Sequence, residues 1–379
     1  MRTDAIAIRR AAIATFCCCL AMLALAPAVH AADPFFGLFS SDMSDPPAEL
    51  GSDMSAHAAT GVGVVREHLF WDRIERAPGV FDFSQSDALI AAATQRGMTV
   101  LPVLVGTPQF YSTRPTGVTT DGWAPRDPAA IARFATQLTR RYGARGTYWG
   151  CLLPGLLCRR PYRPIMAWQV WNEPDRSAWW RTGPDPNAYT ALLAHAYSGL
   201  KAGDAAAEVV LGGITIHNLG PGQYLDQLYD RGAARYFDTL AVHPYSGTVG
   251  GVVNEIRRAR AIAVAKGDGS VPIRATEYGF ATGGVREWVA DPTCQAALLA
   301  ATTRELSARR TELGLRSIVQ FQWQDRPTES DTGWADHAGL LFMDGRPKPA
   351  LAAFTDAVAG RPPAGGRTVS AVCGPQYQG

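Results

Sequence analysis

Short apolar runs alternate with stretches of helical periodicity along most of the chain. Candidate strands lie at 35–39 (FFGLF), 62–66 (VGVVR), 99–105 (TVLPVLV), 165–171 (IMAWQVW), 208–214 (EVVLGGI), 238–243 (DTLAVH), 271–277 (VPIRATE) and 316–323 (RSIVQFQW). Between them, residues 84–97, 128–142, 186–202, 252–266, 292–312 and 347–358 carry the wider spacing of helices. Ser84, Asp127-Pro128, Asp185-Pro186 and Asp291-Pro292 supply capping residues or first-turn prolines for several of these. Strands that are apolar nearly throughout are buried on both faces, and helical crossovers between them make the sheet parallel. Eight such units predict an α/β fold, a single-domain (β/α)8 TIM barrel. An open doubly wound sheet is the competing arrangement, and it would carry a glycine-rich loop after its first strand. Here Gly61-x-Gly63 precedes a strand, and Arg66 stands where the third glycine belongs.

In a barrel of this kind the chemistry sits at the C-terminal ends of the strands and in the loops that follow. Strand two of the pattern ends on Arg66, strand four on Asn172-Glu173, and strand six on His243-Pro244-Tyr245. Strand seven ends on Thr276-Glu277-Tyr278 and strand eight on Trp323-Gln324-Asp325, while the strand starts offer little comparable. Trp71, Trp123, Trp171, Trp179, Trp180, Trp288, Trp323 and Trp334, eight of the ten tryptophans, fall at strand ends or in the following loops. Aromatic faces on a cleft rim suit a sugar, whose C–H faces stack while its hydroxyls take polar partners. About half of the eight are expected to be ordinary apolar filling.

Composition adds a compartment. Arg2, Arg9 and Arg10 precede an apolar run at 11–26, and Val29-His30-Ala31 supplies a small-residue cleavage pattern. Residues 1–31 are therefore expected to be a secretory signal peptide, leaving a barrel domain over 32–360 and a tail over 361–379. The expected location is extracellular or periplasmic, with no membrane span left after cleavage. Removing the leader takes three arginines and one aspartate, which leaves 33 basic against 33 acidic side chains. That balance provides no basic stripe for a phosphate backbone, so nucleic acid is not an expected partner.

Four of the seven cysteines lie beyond the leader: Cys151, Cys158, Cys294 and Cys373. In an oxidising compartment they imply two disulfides, with three possible pairings. Pro154-Gly155 would turn the chain back between Cys151 and Cys158, which favours that pair and leaves Cys294–Cys373 to pin the tail. The spacing fits no common zinc pattern, so no metal is expected there. The segment 144–164 precedes strand four and so belongs to the face opposite the catalytic rim.

Glu173 and Glu277 are thus two carboxyl groups on one rim. Glycoside hydrolysis needs such a pair, one to protonate the leaving oxygen and one to attack the anomeric carbon or activate water. Arg66 is placed to hold one of them ionised, and Tyr245 to hydrogen-bond the same group. A purely structural Glu–Arg pair is the blander alternative.

W-N-E-P at 171–174 and A-T-E-Y-G at 275–279 resemble the paired signatures of the clan A retaining glycoside hydrolases. Trp71-x-x-Ile74-Glu75 followed by Pro78-Gly79-x-Phe81-Asp82-Phe83-Ser84 is similar to the stretch after strand two in that clan, and the likeness runs from about 35 to 358. The Phe-Gly start near 36, V-H-P-Y and T-E-Y-G resemble glycoside hydrolase family 39 and its exopolysaccharide-cleaving relatives most, with family 5 next. Arg66-Glu67-His68 keeps the R-x-H pattern of these relatives, with an added charge at Glu67.

The resemblance implies that Glu173 is the general acid/base and Glu277 the nucleophile. It implies further that Asn172 binds the sugar 2-hydroxyl, that Arg66 flanks the nucleophile, that His243 or Tyr245 is the strand-six polar group, and that Trp323 is the platform under the reacting sugar. The expected activity is hydrolysis of O-glycosidic bonds in a poly- or oligosaccharide by double displacement, without metal or organic cofactor. The long loop 106–127 and Trp179-Trp180 favour endo action. A transglycosylase of the same chemistry and a catalytically silent carbohydrate-binding barrel are the alternatives. A serine hydrolase is excluded, because no G-x-S-x-G elbow occurs.

Overall fold

The computed structural model describes residues 33–40, 47–215, 223–284, 289–327, 333–363 and 368–374, all within the compact unit Ala32–Gly379. The expected leader and Trp288 lie outside the described residues. Eight parallel strands form the sheet: β1 (Asp33–Phe39), β2 (Val62–Phe70), β3 (Thr99–Val105), β4 (Ala167–Val170), β5 (Glu208–Val210), β6 (Leu240–Val242), β7 (Ile273–Tyr278) and β8 (Leu315–Gln320). Each strand hydrogen-bonds its sequence neighbours, and β8 returns to β1. Parallel bridges Val210↔Thr239 and Ile214↔Val242 join β5 to β6, so the barrel closes.

The surrounding helices are α1 (Pro47–Ala59), α2 (Ser84–Thr94), α3 (Ala130–Tyr142), α4 (Pro186–Gly203), α5 (Gln223–Asp230), α6 (Val249–Ala265), α7 (Pro292–Ala308) and α8 (Pro349–Val358). Asp185 and Asp291 cap α4 and α7 as their sequences suggest, each accepting two backbone N–H bonds. Ser84 and Asp127 do not cap. Ser84 is already inside α2, and Asp127 instead accepts from Ala129 N–H in a turn before α3.

Strand alternation builds the interior in layers. Val64, Leu101, Val210 and Ala241 form a small apolar cluster. Two residues further along two of the strands, on the same faces, come Arg66 and His243. Apolar filling thus gives way to polar groups toward the C-terminal ends. The strand starts are not bare: Arg274 makes a paired contact with Glu208 at 2.9 and 3.0 Å and donates to Ser317 at 2.9 Å. That cluster lies at the end of the barrel opposite Glu173.

Both disulfides pair as the spacing favours, Cys151–Cys158 and Cys294–Cys373. The second ties the short helix Val369–Cys373 to α7, so this part of the expected tail packs against the barrel's outer layer.

Candidate active site

Glu173 stands where β4 breaks. Trp171 has φ of 70° and Glu173 φ of 41°, left-handed values that cost a non-glycine residue about 1–2 kcal/mol each. The kink is anchored on both sides: the Trp171 indole N–H donates to Trp179 O at 2.7 Å, and Asn172 stays in register with Gly213 of the next unit. The result turns the Glu173 carboxylate to the barrel mouth. There Oε1 meets His243 Nδ1 at 2.8 Å and Oε2 meets Arg176 Nε at 3.5 Å.

Glu277 reaches the mouth by a different device. Ala275 pairs with Ile318 and Tyr278 with Gln320, so Thr276 and Glu277 together oppose Val319. A one-residue slip of this kind re-aims side chains. It lets Thr276 bond His243 Nε2 at 3.1 Å while Glu277 meets Arg66 Nη1 at 2.7 Å. Tyr245 donates its hydroxyl to the other Glu277 oxygen at 2.6 Å.

Arg66 is fully buried and spends three donors. Besides Glu277, Nε bonds Gln169 Oε1 at 2.8 Å and Nη2 bonds Asn172 Oδ1 at 2.7 Å. The planar fork therefore fixes β2, β4 and β7 relative to one another. Burial opposes ionisation of Glu277. The His243 and Arg66 charges and the Tyr245 hydrogen bond outweigh that penalty and hold its carboxyl below the ordinary range. Burial first, and then the adjacent Glu277 charge, keeps the Tyr245 phenol protonated by raising it well above its usual value.

The carboxylates converge. One oxygen of Glu173, one of Glu277 and a His243 nitrogen lie within 4.8 Å of one another. These three are also the group of described side chains close enough to hold a metal ion. The Arg66 guanidinium already neutralises Glu277, which disfavours a cation at the same oxygens.

Of the residues singled out in the sequence, Glu173, Glu277, Asn172, Arg66, His243 and Tyr245 come together here. Trp323 does not. Its ring packs edge-on against His57 of α1 with centroids 4.5 Å apart, in the main core. Phe321, two residues earlier, instead shares an apolar cluster with Phe39, Trp334 and Tyr245, whose hydroxyl binds Glu277. The β8 ladder ends at Gln320, so strand alternation no longer governs the residues beyond it. Most of the supposed rim tryptophans are filling as well: Trp71, Trp171, Trp180, Trp323 and Trp334 are all buried. Trp123 and Trp179 are half-buried, and Trp179 lies against His68 with centroids 5.1 Å apart.

Three participants were not singled out. Gln169 and Thr276 hold Arg66 and His243 from mid-strand, and a lone amide inside the apolar run AWQVW was the available signal for the first. Asp175, just past Pro174, is buried and accepts from Thr215 N–H at 2.9 Å and from the Thr215 hydroxyl. Burial, and then the Glu173 charge, pushes its carboxyl up to about 7.

No protein-family model and no curated protein matches the chain. Solved structures do. A family 39 glycoside hydrolase from the gut symbiont Bacteroides cellulosilyticus WH2 superposes with a TM-score of 0.63 at 18% identity, over 86% of this chain and 64% of that one. A family 39 β-xylosidase from Caulobacter crescentus gives 0.60 at 22% identity, over 86% and 72%. A family 5 subfamily 18 structure from Streptomyces cattleya, in complex with GlcNAc, gives 0.59 at 17% identity, over 87% and 80%. The chain is thus shorter than these neighbours and spans less than two thirds of the first. At these identities the likeness establishes the fold, a (β/α)8 barrel.

Proposed function

We propose that the chain is a secreted retaining β-glycosidase that hydrolyses O-glycosidic bonds in a poly- or oligosaccharide. The observation that carries the reading is an asymmetry within a close pair. Carboxylate oxygens of Glu173 and Glu277 lie within 4.8 Å, against the about 5–5.5 Å between carboxyl groups in retaining enzymes and about 6.5 Å or more in inverting ones. Yet of the two carboxylates only Glu277 is held by Arg66 and Tyr245, while Glu173 meets His243 and Arg176. That supports an ionised, attacking role for Glu277 and a proton-carrying role for Glu173.

In the first step a Glu277 oxygen bonds the anomeric carbon as the glycosidic C–O bond breaks, and Glu173 gives its proton to the leaving oxygen. In the second, Glu173 takes a proton from water, whose oxygen bonds the anomeric carbon and releases Glu277. Asn172 has its Oδ1 committed to Arg66, so its amide N–H2 is what it offers a sugar hydroxyl. Phe321 and Tyr245 supply the aromatic wall near Glu277. The two disulfides suit an oxidising location. Loop 106–127 is tied to the Glu173 loop through Arg181, which donates backbone and side-chain N–H to Gly122 O and Asp121 O. A long tethered wall beside Trp179 suits several subsites and endo action.

The test uses aryl β-glycosides with an activated leaving group. Glu277→Gln is expected to be inactive. Glu173→Ala is expected to regain turnover with azide, which occupies the vacated space and yields the β-glycosyl azide. Full activity in Glu277→Gln, or azide having no effect on Glu173→Ala, would overturn the assignment.

A further inference from the structure

Residues 151–158 read C-L-L-P-G-L-L-C. The disulfide joins the two ends, and Leu156 N–H donates to Leu153 O at 2.8 Å across Pro154-Gly155. Gly155 has φ of 77°, the value that position of a type II turn requires. The outcome is a covalently closed tip with its leucines outward: Leu152 is 73% exposed, Leu153 59%, Leu156 52% and Leu157 72%. They make up half of the eight large apolar side chains exposed among the described residues, and Met166 at the foot of β4 is another. Single exposed leucines need no explanation, but four clustered on one tip mark an interaction site.

The surroundings specify the partner. No acidic residue occurs from Gly143 to Asn172, whereas Arg145, Arg159, Arg160 and Arg163 do. Arg145, Arg159 and Arg160 are exposed, and Arg160 is fixed at the base by donating to Tyr148 O at 2.7 Å, with its guanidinium 4.6 Å from the Tyr148 ring. An apolar tip above a cationic base matches the layering of an anionic bilayer, acyl chains beneath phosphates. A leucine pair stands exposed on each arm of the turn, so an acyl layer can cover all four at once.

We propose that this hairpin anchors the protein to an anionic lipid surface, the leucines entering the acyl boundary and the arginines binding headgroup phosphates. The hairpin precedes β4 and Glu173 follows it, so the anchor lies on the face opposite the active site. Docking there leaves the barrel mouth open to a polymer. The inference does not depend on the glycosidase reading.

The test is co-sedimentation of the chain lacking residues 1–31 with vesicles of phosphatidylglycerol and phosphatidylcholine, against vesicles of phosphatidylcholine alone. Binding is expected to the anionic vesicles, to weaken with added salt, and to be weak on the neutral ones. Leu152→Ser combined with Leu157→Ser is expected to lower partitioning about a hundredfold, at about tenfold per partly buried leucine, with an unchanged melting curve. Hydrogen exchange on the unsubstituted chain gives an independent reading: anionic vesicles are expected to slow the amides of 151–158. The proposal is overturned if the unsubstituted chain stays in the supernatant at millimolar anionic lipid, or if the double variant sediments equally. A lipid-free dimer that the double variant dissolves would also overturn it, because a second copy would then cover the leucines.

Discussion

Tyr245→Phe isolates one contribution to the nucleophile. The hydroxyl donates to Glu277 at 2.6 Å, while Arg66 holds the opposite oxygen at 2.7 Å. The ring itself packs on Trp334, with centroids 4.9 Å apart, and a phenylalanine keeps that contact. A hydrogen bond to a charged group contributes about 1.5–3 kcal/mol, so its loss should move the Glu277 carboxyl upward, back toward the ordinary carboxylate range. The sign follows from the direction of the native shift. Glu277 is held below the ordinary carboxylate range, so the attacking anion survives into acid, and activity fails as pH falls through the lowered value. The stability that this shift contributes is present above the unfolded value and is lost over the same fall. In the variant both losses should begin at higher pH. The assay is kcat/KM against pH on an aryl β-glycoside, which reports the free enzyme, with thermal melts across the same range. An acid limb that stays in place or moves to lower pH would refute the idea that Tyr245 biases Glu277.

Two further substitutions probe the supports. Gly213→Ala would place a Cβ onto His243 Nε2, so the imidazole must leave its place between Thr276 and Glu173. A loss of about a hundredfold in kcat/KM is expected from displacing a catalytic carboxylate's partner, and unchanged kinetics would show that His243 does not position Glu173. Phe321→Ala and Trp323→Ala should part ways: the first should raise KM for aryl glycosides, and the second should cost about 3–5 kcal/mol of stability in urea titrations with KM little changed. The reverse pattern would return the sugar platform to Trp323.

The barrel was legible because a parallel sheet covered by helices demands apolar strands: 99–105 matches its strand end to end, whereas 208–214 runs four residues past the last strand residue, Val210. α1 and α5 escaped notice: α1 carries Gly51 and Ser52 in its second turn, and α5 is only 8 residues long, shorter than the window in which periodicity is readable. The carboxylates were legible because a buried strand that ends in Glu173 or Glu277 needs a use for the charge. What the sequence could not display is the machinery of aim. The left-handed turns at Trp171 and Glu173 and the slip opposite Val319 are backbone events without a glycine to announce them. Trp323 was given its place by resemblance alone, and beyond the last strand residue, Gln320, the chain turns its ring into the main core. Asp175 lay one residue beyond the motif, and only its burial beside Glu173 gives it weight.

The central claim is that Glu277 forms a bond to sugar while Glu173 does not. Incubation with a 2-deoxy-2-fluoro-β-glycoside carrying an activated leaving group, followed by peptide mass mapping, tests it directly. One covalent sugar is expected, on the peptide that contains Glu277, with release of the β-anomer when the label turns over. A label on Glu173, or turnover to the α-anomer with no covalent species, would contradict it.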